Sequence, residues 1–368
     1  MNNIALYRKY RPQNFSEMVG QEHIVKTLVN SLASGSISHA YLFSGPRGSG
    51  KTTFARILAK AINCLKPDVE QGPCDKCDSC LEIMASKSMD LIEIDAASHT
   101  GVDDVRELIS GIKFSPVKSK YKIFIIDECH QLSKSAVNAL LKTLEEPPAH
   151  AIFMLATTEA HKMLPTILSR CQRFDLKRLN ASEIIKKLEF ILKKEGVKFE
   201  PQALQLIALN ARGSFRDAES LLDKCINFAG ENNKLEVSEI KDILGIVEIS
   251  QIARFLDFVF AKNAKDAILA IDAMGQEGTD LQEFTKTLVF YLRQAMLFKI
   301  NPVLLNTENS GLSDDEINTM EKQVASVSQK DLQNMLELFI EAEQKMKYAT
   351  ILQLPLELAV VDITHKEL

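Results

Sequence analysis

The chain has 368 residues, 46% hydrophobic and 25% charged, the balance of a soluble globular protein and not of a disordered or membrane-embedded one. At roughly 150 residues per domain, that length predicts two or three domains. A net charge of −5 excludes capture of nucleic acid by an overall positive field and leaves only local basic patches for such contact. The longest apolar runs, such as AIFMLA at 151–156, fall far short of the roughly 18 residues that cross a bilayer. The opening MNNIALYRKYRP lacks a secretory apolar region, so the expectation is a cytoplasmic protein with no membrane partner. The closing HKEL has the look of a retention tag, which has no meaning without a signal peptide.

Taken in chain order, short apolar or β-branched runs at 40–45 (AYLFSG), 91–97 (LIEIDAA), 122–128 (KIFIIDE) and 152–158 (IFMLATT) alternate with helical segments. Strands alternating with helices predict a parallel, helix-covered sheet, and the near absence of polar alternation within each run predicts strands buried on both faces. After LKRLNASEIIKK the strand signal ends, and Asn180 to Glu183, with Ser182 as cap, reads as the start of a small helical domain. Its helices are EIIKKLEFILKKEGV, QALQLIALNARG and RDAESLLDKCINFA. From about residue 245, IARFLDFVFAKNAKDAILAIDAM, DLQEFTKTLVFYLRQAMLF and QKDLQNMLELFIEAEQKMK repeat apolar residues at helical spacing and predict an all-helical third block. The predicted domains are 1–179, 180–243 and 244–368.

GPRGSGKT at 45–52 follows a predicted strand and opens a predicted helix, TFARILAKAI, so the GxxxxGK[ST] pattern comes with its structural context. Gly45, Gly48, Ser49 and Gly50 let backbone N–H groups face phosphate oxygens. Lys51 neutralises the β/γ charge, and the Thr52 hydroxyl, followed by Thr53, is available to Mg²⁺. KIFIIDE ends in Asp127, suited to hold the Mg²⁺, and Glu128, suited to orient or deprotonate a water, although an acidic helix start would read the same way. His130 completes DECH, but no other helicase motif accompanies it, and it reads as an ordinary loop or helix residue. Thr157 and Thr158 end the last strand where a γ-phosphate could be sensed, or serve there simply as strand formers.

Of the seven cysteines, four follow the pattern C64-x9-C74-x2-C77-x2-C80. Four soft ligands suit a structural, tetrahedral Zn²⁺ at Cys64, Cys74, Cys77 and Cys80, with free thiols or an iron–sulfur cluster as alternatives. Cys129, Cys171 and Cys225 are isolated and read as small buried hydrophobes.

These motifs, together with YRKYRPQNF, GQEHI, IDAASHTGVDDVR, ALLKTLEEPP, LSRC at 168–171 and GSFRD at 213–217, occur in an order that closely resembles the gamma/tau family of bacterial DNA polymerase III. This family supplies the ATPase motor of the sliding-clamp loader within the AAA+ superfamily. The resemblance spans essentially the whole chain, most specifically its first two thirds. It implies an α/β P-loop (AAA+) domain with a zinc-binding insertion at 64–80, a small helical lid and an all-helical collar for oligomerisation. It further implies ATP hydrolysis with Mg²⁺ in a ring-like pentamer with delta and delta-prime type subunits, a sliding clamp as cargo and sequence-independent contact with primer–template DNA. Arg170 would act in a neighbouring subunit's site, Thr158 and Arg216 as first and second sensors, and Arg11, Pro12 and Val19 around adenine. Arg170 could instead pair with a helix end, Pro12 and Val19 could be core or turn residues, and Arg173 reads as a surface arginine. A helix start near Ser98 and Thr100 could face DNA or be purely structural. Retention of Lys51, Thr52, Asp127 and Glu128 argues for a hydrolysing motor over a non-hydrolysing scaffold, and LSRC with the cysteine insertion argues for a clamp loader over a duplex-remodelling motor.

Overall fold

Buried strands that alternate residues between two helical layers dominate the first half of the chain. The computed structural model describes residues 4–68, 72–98, 111, 112, 114–229, 234–244, 248–302, 312–325 and 327–365. They form two compact units, residues 1–237 and 238–368. No helix among the described residues is long and apolar enough to cross a membrane.

In the first unit, α1 (Leu6–Lys9) and a 3-10 turn at Phe15–Glu17 precede α2 (Glu22–Ala33). There follow β1 (Ala40–Ser44), α3 (Lys51–Ile62), α4 (Asp78–Met84), β2 (Leu91–Asp95), β3 (Lys122–Asp127), α5 (Lys134–Glu145), β4 (Ala151–Thr157), α6 (Pro165–Leu168) and β5 (Gln172–Asp175). The five strands make one parallel sheet in the order β2-β3-β4-β1-β5. Phe43, Ile123, Ile125 and Met154 pack on one face against Phe54, Ile57 and Leu58 of α3, while Leu42, Phe124, Ile126 and Phe153 pack on the other against Val137, Leu140 and Leu144 of α5. Because both faces are covered, β1, β3 and β4 are apolar at consecutive positions, whereas β2, at the edge of the sheet, is only partly buried and exposes Glu93 and Asp95, against its predicted burial on both faces. Ser44 pairs with Thr157 and Asp95 with Asp127, so the carboxyl ends line up along one edge, where such sheets carry their ligands.

The fifth strand has no counterpart among the four predicted ones. QRFD is an edge strand with only Phe174 buried, stacked 5.7 Å from Phe43, and so lacks an apolar run. Three helices follow it: α7 (Ala181–Glu195), α8 (Pro201–Asn210) and α9 (Phe215–Ala229). A two-residue parallel pair, β6 (Lys198–Phe199) and β7 (Lys234–Leu235), lies beside them where no strand is predicted. The cap of α7 is Asn180 and not Ser182: Asn180 Oδ1 accepts from the Glu183 N–H at 2.8 Å and the Glu183 carboxylate accepts from the Asn180 N–H at 2.8 Å. Ser182 only donates to Asn180 Oδ1, at 2.7 Å. This reciprocal capping box satisfies two otherwise unpaired donors.

α10 (Val237–Leu244) begins at the boundary between the units. The second unit continues with α11 (Ile249–Phe260), α12 (Ala264–Gln276), α13 (Leu281–Ile300), α14 (Asp314–Val324), α15 (Gln329–Met346) and α16 (Leu354–His365). Its core is built around Phe255, edge-on to Phe284 at 5.3 Å and to Phe339 at 6.3 Å. The helix start expected around Thr100 lies outside the described residues, while Ser98 is described, its N–H bonded to Asp95 O at 3.1 Å.

Truncating Phe255 removes ring contacts on two sides in a fully packed site. Phe255→Ala is expected to lower the stability of the C-terminal unit by about 3–5 kcal/mol, read as an earlier denaturant midpoint for the transition of that unit, with Phe255→Leu intermediate.

Candidate nucleotide-binding site

The cleft lies where β1 turns into α3. Gly50 takes a left-handed conformation, φ 97°, at the cap position, which turns the chain sharply into the helix. Lys51 is 6% exposed, and its Nζ donates to the carbonyls of Gly45 at 3.0 Å and Pro46 at 2.9 Å. Burial holds this ammonium below the usual lysine range, against the pull of Glu128 and Asp127. With carbonyls as its hydrogen-bond acceptors, Lys51 is poised to exchange them for phosphate oxygens.

β4 lies between β1 and β3 and so separates the loop from the acidic strand end by one strand. Across that gap Thr52 Oγ1 donates to Asp127 Oδ2 at 2.7 Å. Burial raises the Asp127 carboxyl above its usual range, opposed by this bond and by the Glu128 N–H at 3.0 Å. Two hard oxygen donors side by side, one a half-buried carboxylate, fit Mg²⁺, which Thr52 and Asp127 would hold.

Glu128 adopts φ 47°, unusual for a residue with a side chain, as single residues at working sites often are. Its Oε2 accepts from Thr158 Oγ1 at 2.8 Å and from the Thr158 N–H at 3.2 Å. Thr158 thus meets Glu128 and is not among the residues lining the cleft. His130, read from the sequence as an ordinary residue, is buried at the same place: Nδ1 lies 3.0 Å from Thr157 Oγ1 and 3.4 Å from Glu128 Oε2, and Nε2 lies 3.5 Å from Glu159.

Every residue predicted to touch ATP except Gly45 lines the cleft: Gly48, Ser49, Gly50, Lys51, Thr52 and Thr53 from the loop side, and Arg11, Pro12, Val19 and Arg216 from the others. Gly45 sits behind them, its N–H donating to Thr157 O at 3.2 Å. Sequence reasoning missed Tyr7, Glu17, Met18, Arg47, Lys187, Phe215 and Glu219, which complete the walls from α1, the turn after it, the loop itself, α7 and α9. Tyr7 and Phe215 lie within YRKYRPQNF and GSFRD, stretches singled out for Arg11 and Arg216, and Met18 adjoins Val19; Lys187 and Glu219 belong to no motif. The Arg216 guanidinium lies 5.1 Å over the Tyr7 ring, and Lys187 Nζ donates to Tyr10 O at 3.1 Å. Glu219 is 6% exposed, and burial raises its carboxyl to about 7 although Lys187 and Arg11 pull it down. The loop and the α8–α9 connection touch: a Cβ at Gly48 would collide with Ser214 Oγ and stand 2.8 Å from Ser214 Cβ.

Arg170 does not line this cleft. Just beyond α6, it donates from Nη2 to Glu145 Oε1 at 2.7 Å and from Nη1 to Thr166 O at 2.7 Å, the helix-end pairing that its sequence position also allowed. Arg173 pairs on the surface with Asp175 at 2.8 Å.

The four clustered cysteines meet as predicted from their spacing. Their sulfurs all lie within 4.8 Å of one another, with Cys64–Cys77 at 4.0 Å and Cys74–Cys80 at 3.9 Å. Tetrahedral Zn–S bonds of about 2.3 Å place sulfurs about 3.8 Å apart, so the set fits zinc with no position left open. Cys129 and Cys225 are buried, and Cys171 is partly so.

Residues 20–180 match the family described as DNA polymerase III, delta subunit; 183–231 match the clamp loader subunit ATPase lid domain; and 235–368 match the gamma and tau domain III. DNA polymerase III subunit gamma of Buchnera aphidicola subsp. Acyrthosiphon pisum is 35% identical over 99% of this chain and 99% of its own length. The chain belongs to the gamma/tau family of DNA polymerase III. DNA polymerase III subunit tau of Bacillus subtilis is 43% identical over 99% of this chain and 63% of that protein, and tau of Escherichia coli 37% identical over 98% and 55%. This gamma/tau chain therefore spans between 55% and 63% of the length of those tau relatives. The Thermotoga maritima RuvB Holliday junction branch migration motor overlays with a TM-score of 0.49 and 18% identity, covering 68% of this chain and 79% of that one, too loose a likeness to bear on function.

Two outcomes follow from the cleft of this gamma/tau chain. Gly48→Ala is expected to push Ser214, and with it the start of α9, away from the loop and to weaken binding of a fluorescent ATP analogue about tenfold or more by equilibrium titration. Glu219 binds its proton more tightly in the folded chain than in the unfolded one, so it lowers stability progressively as pH rises from about 4.5 to about 7 and by a constant amount above. Glu219→Gln should therefore stabilise the nucleotide-free chain at pH 8, by on the order of 3 kcal/mol, and the gain should vanish towards pH 4.5 in denaturant titrations.

Proposed function

We propose that the chain is an ATP-hydrolysing motor subunit of a bacterial sliding-clamp loader. The observation that carries this reading is the convergence of Lys51, Thr52, Asp127, Glu128 and Arg216 on one cleft in a gamma/tau family member. Backbone N–H groups of the loop and Lys51 bind the phosphates, and Arg11, Pro12, Met18 and Val19 enclose the base. Mg²⁺, held by Thr52 and Asp127, supplies charge compensation for the β- and γ-phosphates. Glu128, held through Oε2 by Thr158, orients the attacking water and takes its proton. Arg216 reaches the nucleotide from the helical lid, which ties the lid's position to the presence of the γ-phosphate.

In the same reading the domains are 1–179, a lid at 180–243 and an oligomerisation collar at 244–368. Copies of the chain join delta and delta-prime type subunits in a ring-like pentamer in the bacterial cytoplasm. ATP binding holds a sliding clamp open around primer–template DNA, contacted through its phosphates irrespective of sequence, and hydrolysis releases the clamp. Zinc at the four cysteines has a structural role. Arg170 leaves Glu145 and enters the neighbour's site as a charge placed where the γ-phosphate develops its own. An exposed ion pair of this kind is worth no more than about 1 kcal/mol, so its exchange for a phosphate costs little.

The test is steady-state ATP hydrolysis by a loader reconstituted with clamp and primed DNA. Arg170→Ala is expected to lower turnover roughly 10³-fold while the dissociation constant for ATP stays unchanged, and Glu128→Gln to block turnover with ATP still bound. An unchanged rate for Arg170→Ala would confine LSRC to a structural role, and an unchanged rate for Glu128→Gln would remove the motor reading.

A further inference from the structure

One wall of the cleft is formed by residues 11–19, a segment with little regular structure apart from its single 3-10 turn. Arg11, Pro12, Glu17, Met18 and Val19 face the cleft. Within the segment, Asn14 Oδ1 accepts from the Glu17 N–H at 3.1 Å and the Glu17 carboxylate accepts from the Gln13 N–H at 2.7 Å, which fixes the turn, and Phe15, 1% exposed, pins it in the core beside Phe54 of α3. A second anchor comes from behind, out of the cysteine loop, and bears on the polar residues Gln13 and Asn14 and on the back of the Phe15 ring. Asp75, between the ligands Cys74 and Cys77, has φ 58° and reaches two partners. Its Oδ1 lies 2.6 Å from Lys60 Nζ, matched as charges more than as an aligned hydrogen bond, and its Oδ2 accepts from Asn14 Nδ2 at 3.4 Å. Lys60, 2% exposed in the last turn of α3, also points its Nζ at Gln13 Oε1, 3.5 Å away. Gly72 lies flat on the ring of Phe15: a Cβ there would stand 2.5 Å from Phe15 Cδ2, so only glycine lets the loop backbone come this close. Two backbone hydrogen bonds between Asp68 and Gly72, at 2.8 and 3.0 Å, close the loop at that point.

We propose that the zinc-binding loop is a brace for the base-side wall of the nucleotide cleft, so that zinc occupancy sets nucleotide affinity through Asp75 and Gly72. The ligand set holds Cys74 and Cys77 and therefore the backbone of Asp75, and Asp75 holds both the Lys60 ammonium and Asn14. When the sulfurs are no longer tied together, Asp75 is freed from its left-handed conformation, Lys60 loses its buried counter-charge, and residues 11–19 lose their rear support. Asp75, Lys60 and Gly72 are positioning residues, since none lines the cleft. The proposal rests on the nucleotide reading of the cleft and on zinc as the occupant of the four cysteines.

The test compares the full chain loaded with zinc and the same chain stripped by a chelator under reducing conditions. It reads equilibrium binding of a fluorescent ATP analogue and amide hydrogen exchange over residues 11–19. Stripping is expected to weaken binding about tenfold and to speed exchange across that segment. Asp75→Asn, with one zinc per chain still bound, should weaken binding several-fold, and Lys60→Met combined with it should add little. Should stripping unfold the chain, zinc-loaded Asp75→Asn decides: wild-type affinity there overturns the brace. Unchanged affinity and exchange on stripping overturn it too, as does a chain that binds no zinc. Lys51→Ala separates the two levels: if it abolishes binding while zinc and Asp75 have no effect, the cleft reading stands and the brace fails, whereas unaffected binding in Lys51→Ala removes the cleft reading itself.

Discussion

Two ammonium groups are buried on one helix, Lys51 at the start of α3 and Lys60 in its last turn, and a buried charge without a partner is far too costly to keep. The body between them is apolar: Phe54, Ile57 and Leu58 are locked against β1, β3 and β4. Helix and sheet thus hold both charges rigidly in place, and the flanking loops must come to them. At the N-terminal end the loop carbonyls and the acidic end of β3 meet Lys51; at the other end Asp75 meets Lys60. The phosphate-binding turn and the cysteine loop are therefore two answers to one requirement, set by a helix about 18 Å long.

The catalytic edge depends on strand order in the same way. Since β4 separates β1 from β3, its terminal threonines stand between the loop and the acidic pair. Thr157 carries the His130 contact and Thr158 the Glu128 contact, so consecutive residues leaving one strand position the carboxylate from two directions. Only Glu128 Oε2 is engaged by these two neighbours.

What could be read from the sequence was whatever one local stretch determines. β1, β3 and β4 were visible because burial on both faces makes them apolar throughout, β2 only through Leu91, Ile92 and Ile94 of an edge strand that exposes Glu93, and the glycine-lysine loop and the cysteines because their chemistry lies in short spacings. β5 was not visible, because an edge strand needs only Phe174 inside, and β6 with β7 are two residues each. The cap of α7 went to Asn180, whose partner Glu183 stands at the spacing of a capping box, and not to Ser182. Tyr7, Lys187 and Glu219 come from segments up to about two hundred residues apart in sequence, and no spacing rule joins them to the loop. His130 was set aside for want of a motif, although its place follows from position: it is the middle residue of the 3-10 turn Cys129–Gln131 that follows β3, within reach of Thr157 at the end of β4.

The join between the sheet and the helices that follow it has a mechanical consequence. Gln21, 1% exposed, clamps Lys177 through both ends of its amide, accepting from the Lys177 N–H at 3.2 Å and donating to its carbonyl at 2.9 Å, while Leu176 N–H is bonded to Ser44 O at 2.7 Å. The chain is thus stitched to β1 at Leu176 and to Gln21 at Lys177, and only Arg178 and Leu179 separate that point from the capping box at Asn180. Those two residues are themselves bonded to the α8–α9 connection, Arg178 Nη1 to Arg212 O at 3.0 Å and Leu179 N–H to Gly213 O at 3.3 Å, and the start of α9 at Ser214 rests on Gly48 as on a stop. Helices α7 to α9 thus share their point of attachment with the strand that carries the phosphate loop, and that loop and the first turn of α9 bear on each other with no room for even one added methyl group.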